Sequence, residues 1–166
     1  ADADPTSLSH DQVVQVLLAP DNVLWLGTWG GGLNRLDLND PASAEPRTAR
    51  FTRYQHADTD PTSLSEDSVW AIQRGADGVL WLGTQGGLNR FDPAHGTFQA
   101  YGEKDGLRNA TVLGVLGDAQ GRLWLTTNNG LARFDPAAET FVIYDAADGL
   151  QSNEFNSNAW LRGPDG

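Results

Sequence analysis

The groups this 166-residue chain offers for acid–base or metal chemistry are three histidines, His10, His56 and His95, and twenty-two Asp and Glu. There is no cysteine, which removes thiolate nucleophiles, disulfides and Cys-based metal sites. No G-x-S-x-G elbow and no histidine cluster at ligand spacing occurs, so nucleophilic and metal-assisted hydrolysis lack their parts. Aspartates do recur as D-x-D, at Asp2 and Asp4 and again at Asp58 and Asp60. A calcium loop needs further oxygen ligands at fixed spacing, which both stretches lack, and a solvated Asp-Pro turn accounts for them better. Among so many acids a two-carboxylate pair can be drawn in many ways, and none stands out. The residue types therefore point to no catalytic group, no metal and no cofactor.

The elements that must position any site are set by repetition. "VLWLGTWGGGLNRLD" at 23–37 returns as "VLWLGTQGGLNRFD" at 79–92 and as "RLWLTTNNGLARFD" at 122–135, which makes Trp25, Trp81 and Trp124 equivalent. Each copy runs on to an F-x-x-Y pair, Phe51 and Tyr54, Phe98 and Tyr101, Phe141 and Tyr144. The first interval is the longest, with its excess chiefly between Asp37 and Phe51, as expected where strands are joined by surface loops. "ADTDPTSLS" at 57–65 nearly repeats the opening "ADADPTSLS". Both are expected to be the joint that carries the chain from the outer strand of one unit to the inner strand of the next.

Within the second copy the pattern predicts four strands, at about 69–73, 79–84, 88–92 and 98–101, cut by Gly, Asp and Pro. "PDN" before Val23 and "ADG" before Val79 are hairpin signals, because Asn and Gly accept the positive φ of such turns. "VLWLGT" is apolar on both faces, as in a sheet covered on both sides. The fold class predicted is all-β: a β-propeller of three four-stranded blades plus the first strand of a fourth, a partial propeller. A β-sandwich fits three in-phase copies of a four-strand unit less well. The blades run from about 5–60, 61–106 and 107–149, with the fourth unit's strand within 150–166. Three blades alone leave two open sheet faces, so the segment is expected to meet the remaining blades of a longer propeller or another copy of itself.

Composition narrows the partners. Eleven Lys and Arg leave a formal net charge of −11, which repels nucleic-acid phosphates and anionic lipid surfaces. No apolar run approaches the length of a membrane span and the N-terminal stretch has no signal-peptide core, so no membrane contact is expected from this segment.

W-L-G-T-x-G-G-L-N-R-F-D-P, with D-G-x-L before it and F-x-x-Y after it, resembles the two-component regulator propeller repeat, over Val13 to Tyr144. The third copy departs with "TTNNG" and with Ala132 for Asn, and keeps Trp124, Arg133, Phe134, Asp135 and Pro136. "DGLQSNEFNSNAWLRGPDG" looks like the opening of a further repeat. The resemblance implies a periplasmic, extracytoplasmic propeller at the front of a membrane-spanning sensor kinase or diguanylate cyclase. It further implies sensing of a small-molecule or oligosaccharide ligand, without catalysis by this chain. A propeller-fold polysaccharide lyase or hydrolase, and a purely structural blade segment that self-associates, are the alternatives.

A ligand site needs asymmetry, so the recurring Arg35, Arg90 and Arg133 are expected to make ion pairs within or between blades, and the W-L-G-T tryptophans to pack. With strands in order from inner to outer, the loops before the first strand and between the second and third emerge on one face of the disc. Those loops supply the candidate ligand-binding residues Asp11, Asp67, Arg108, Asn109 and Glu154, with Glu66 and Asn153, and Trp29, Gln85, Asn128 and Asn129. Trp29 stands out as a flat aromatic in a glycine-rich turn where the other copies are polar. It can stack on a sugar ring or cover a neighbouring blade. Trp70, on an inner strand, is expected in the core. The three histidines fall at different phases of the repeat, and His95 on the opposite side.

Overall fold

The computed structural model describes residues 4–156. The first sheet comprises β1 (Val13–Leu18), β2 (Val23–Thr28), β3 (Leu33–Asp37) and β4 (Phe51–Tyr54). The second holds β5 (Val69–Arg74), β6 (Leu80–Thr84), β7 (Gly87–Asp92) and β8 (Thr97–Tyr101). The third holds β9 (Val112–Gly117), β10 (Leu123–Thr127), β11 (Gly130–Asp135) and β12 (Thr140–Tyr144). Each is a four-stranded antiparallel meander in chain order. The turns after β1 and β5 use left-handed residues where "PDN" and "ADG" predict them, Asn22 at φ 62° and Gly78 at φ 87°. Residues 150–156 contain no strand, and most of the strand expected beyond 150 lies outside the described residues.

Strand alternation gives every sheet two faces, and the sheets stack as blades because those faces are complementary. Val23, Trp25, Leu33 and Tyr54 of the first blade pack on Val69, Ile72, Leu80, Leu82, Phe91 and Phe98 of the second. Val79, Trp81, Leu88 and Tyr101 then pack on Val112, Val115, Leu123, Leu125 and Phe134 of the third. The aromatic geometry repeats: Trp25 meets Phe91 edge-on at 5.5 Å, and Trp81 meets Phe134 at 5.6 Å. Truncating either buried tryptophan to alanine removes about 3–5 kcal/mol of packing. The glycine of W-L-G-T is required by the same junction. A Cβ on Gly27 would lie 2.8 Å from the Val69 carbonyl oxygen, and one on Gly83 2.7 Å from that of Val112.

The D-P-T-S-L-S joints seat each blade on its own outer strand. Asp4 Oδ1 accepts from the Thr6 amide (2.9 Å) and hydroxyl (2.7 Å), and Asp60 Oδ1 does the same for Thr62. The Phe51 amide donates to the Thr6 carbonyl and the Phe98 amide to that of Thr62, both at 2.7 Å. Asp4 and Asp60 thus spend a carboxylate oxygen on their own turn, whereas Asp2 lies outside the described residues.

Buried Asn34 and Asn89 clamp these joints. Each side chain accepts from the backbone of Ser9 or Ser65 and donates to its hydroxyl. The third blade has Ala132 and Arg108 at these two positions, so the amide and its serine partner are replaced together. Its joint is instead a short 3-10 turn, Glu103–Asp105, closed by Gly106 at φ 103°. The three equivalent arginines diverge as well. Arg35 pairs with Asp37 at 3.0 Å and Arg90 with Asp77 at 3.5 Å, both within a blade, whereas Arg133 lies over the Trp124 ring, 5.9 Å from its centroid.

Candidate functional site

The loops that precede the inner strands meet the turns between second and third strands on one face of the stack. The Trp29 amide donates to the Gln12 carbonyl (3.1 Å), Gln85 to Ser68 (3.2 Å), and Gly32 of the first blade to Asp67 of the second (2.8 Å). On the third blade the Gly130 amide donates to Asn153. Trp29, Asp67 and Gln85 therefore gather around Ser68, which also bridges to Trp29. Asn128 and Asn129 stand by Asn153, and Arg108 and Asn109 lie on the loop before β9.

Several candidates are engaged within the chain. Arg108 Nη1 donates to Asp145 at 2.6 Å, and that hydrogen bond is the leading cause that holds the Asp145 carboxyl below the usual range. Asn109 Oδ1 accepts from the Thr111 amide, Asp67 Oδ1 from His56, and Glu66 from Ser68. The Asn129 amide donates to Thr127. Asp11, Gln85, Asn128 and Glu154 are exposed.

Trp29 is 52% exposed and its ring meets that of Trp70 edge-to-face, with centroids 5.2 Å apart. It thus covers part of the neighbouring blade and keeps half its surface in solvent. Trp70 is not enclosed in the core as predicted. It occupies a bulge, where the β5–β6 register shifts between Val69 and Ala71, and is only half-buried. The same shift recurs between Val13 and Gln15 and opposite Thr126 and Thr127. A bulge re-aims the extra side chain, and in the second blade that side chain is an indole. Its Nε1 is buried without a hydrogen-bond partner. No glycine marks the bulge at Trp70, so strand alternation alone assigned that residue to the wrong surroundings.

The histidines are dispersed. His10 Nδ1 accepts from the Gln12 amide, His56 lies in the joint before β5, and His95 contacts Asp92 in the turn after β7, away from the loop face. No group of three or more His, Asp or Glu among the described residues is arranged to hold a metal, and none of their helices is long and apolar enough to cross a membrane.

Stacked four-stranded meanders with this face of non-equivalent loops define a β-propeller segment. The family model of the two component regulator propeller matches residues 63–86 and 106–129, in each case the joint, the two inner strands and the turn that follows. The fold is shared with the extracellular domain of the putative hybrid two component system BT4673 from B. thetaiotaomicron (23% identity, TM-score 0.77, 100% of this chain and 22% of that one). It is shared too with the extracellular domain of the putative hybrid two component system BT3049 from the same organism (21% identity, TM-score 0.73, 86% of this chain and 19% of that one). PorZ, a surface component of the type-IX secretion system of Porphyromonas gingivalis, is similar at 15% identity and TM-score 0.65, over 86% of this chain and 22% of that one. The chain thus spans about a fifth of each of these structures. No curated protein matches it.

Proposed function

We propose that this chain is a segment of an extracytoplasmic, ligand-sensing β-propeller from a two-component-type receptor, acting by binding and not by catalysis. Support comes from its repeats and from the extracellular placement named for the hybrid two component systems that share its fold. The observation that carries the binding role is Trp29. It is the exposed aromatic in a turn where the equivalent blades present Gln85 and Asn128, and it sits beside side chains able to bond sugar hydroxyls. A flat indole held by Trp70 offers a sugar ring a stacking surface whose position is already set.

The segment is proposed to dock against further blades. Val13 and Val16 are 38% and 50% exposed, whereas their counterparts in the second blade, Val69 and Ile72, are 0% and 2%. A thermal-shift screen of neutral oligosaccharides on this chain and on a longer chain containing it tests the sensing role. A hit should weaken by about tenfold in Trp29→Ala, with folding retained. Turnover of the hit would replace this reading with a propeller lyase or hydrolase. A shift confined to the longer chain, indifferent to Trp29, would make the segment structural.

A further inference from the structure

A cleft of about 830 Å³ opens between the second and third blades, on the face opposite Trp29. One wall is a cross-strand row, Gln73, Trp81, Arg90 and Gln99, in register across β5 to β8. The other is made by the two turns of the third blade that carry Asp118, Arg122 and Glu139.

Two departures from the repeat create it. Gly117 stands where β1 has Leu18 and β5 has Arg74, so the side chain that would fill the junction is missing; a Cβ there would approach nothing closer than Gln73 Nε2 at 3.8 Å. Glu139 stands where the preceding repeat has Gly96, and keeps the left-handed backbone at φ 52°. A non-glycine residue in that conformation is strained, and strain of this kind collects at functional positions. Its Oε1 crosses the junction to accept from Tyr101 Oη (2.7 Å) and Gln99 Nε2 (3.1 Å).

The hydrogen-bond ledger of the cleft leaves donors in excess. Asp118 is saturated by Arg122 Nε, the Trp124 indole and the amides of Gln120 and Arg122. Arg122 keeps Nη1 unspent among the described residues, and Arg90 touches Asp77 only at 3.5 Å. Arg90 and Arg122 line the cleft together with Asp77, Asp118 and Glu139, so what it offers in excess is guanidinium N–H groups and not net positive charge. Guanidinium groups with free N–H pairs select a carboxylate. Glu139 Oε2 has no donor among the described residues and selects a hydroxyl. A bare anion would leave most of the volume and that acceptor unused.

We propose that this cleft binds a short acidic saccharide, a uronate-bearing disaccharide, with its carboxylate on the arginines and a hydroxyl on Glu139. The site is separate from the Trp29 face and stands or falls independently of it. Calorimetric titration of the 166-residue chain with digalacturonate, lactose and citrate tests it. Digalacturonate should bind at least about tenfold tighter than the neutral disaccharide or the sugar-free carboxylate. Gly117→Arg, which restores the side chain found at the preceding junction, should abolish binding. Glu139→Gly should weaken it without lowering Tm, since glycine suits the backbone, and Trp29→Ala should leave it unchanged. Absence of digalacturonate binding, equal binding of citrate, or binding lost in Trp29→Ala overturns the proposal. If Gly117→Arg does not fold, binding indifferent to both Glu139→Gly and Arg90→Gln overturns it equally.

Discussion

His56 has an acceptor at each ring nitrogen: the Leu64 carbonyl 2.7 Å from Nδ1 and Asp58 Oδ1 2.9 Å from Nε2. Only the doubly protonated imidazolium satisfies both, so its pKa is raised above the ordinary histidine value, first by the bond to Leu64 and then by Asp58. A raised folded-state pKa contributes stability that is complete below the ordinary value and is lost as pH climbs through the raised one. Asp4 and Asp60, held low by their bonds to Thr6 and Thr62, act oppositely, and their contribution is lost on acidification through their lowered values. Tm should therefore fall modestly as pH rises from about 6 to 8, and His56→Gln should flatten that slope. Asp58→Asn should flatten it in part. A slope unchanged in His56→Gln, measured by thermal denaturation across this range, would remove His56 as its cause. The effect is small because the group is solvent-exposed.

The blade as an element turns on the glycine that follows W-L. Gly83→Ala drives a Cβ to within 2.7 Å of the Val112 carbonyl oxygen and 2.9 Å of a Val112 methyl, in the backbone and core of the next blade. Neither can withdraw without moving β9, so urea unfolding should show a loss of about 1–3 kcal/mol. Gly102→Ala is the control: its backbone is extended and nothing stands within 4 Å, so it should change stability by less than about 0.5 kcal/mol. Equal effects of the two would detach the W-L-G-T glycine from blade spacing. Strand positions were legible in the sequence because the repeat averages out local ambiguity: the strands expected at 79–84 and 88–92 are β6 at Leu80–Thr84 and β7 at Gly87–Asp92. Convergence of the candidate loops on one face followed from strand order alone. The Trp70 bulge was not legible, since it lacks a glycine and depends on how β5 and β6 pair. The cleft beside Glu139 was hidden for a related reason. It arises between two blades, from residues distant in the chain, and only the stacked structure shows that Gly117 leaves a space which Glu139 borders.

At the scale of the whole molecule, the two outer faces are the two halves of the junction that the interior repeats twice. The first blade presents Val13, Val16 and Leu18, the last 59% exposed, and the third presents the Trp124 and Tyr144 rings, stacked 5.6 Å apart. Faces of these two kinds meet at both interior junctions, so copies of the chain can join head to tail through a heterologous contact. Thr126 opposes that contact. It stands where the first two blades have Gly27 and Gly83, and Val13 stands where Val69 and Val112 bring their carbonyls against those glycines. A first blade approaching at the interior spacing would press the Val13 carbonyl onto the Thr126 side chain, whose Oγ1 is already buried without a partner. The third blade's face therefore suits a following blade that is set further back, and self-association of the chain should be weak. Thr126→Gly should tighten it despite the entropic cost of glycine in a strand, and Val16→Glu should abolish it in both backgrounds by burying an unpaired charge. Sedimentation velocity over a concentration series reads both effects. Association that weakens in Thr126→Gly, or survives Val16→Glu, would show that copies meet through some other surface.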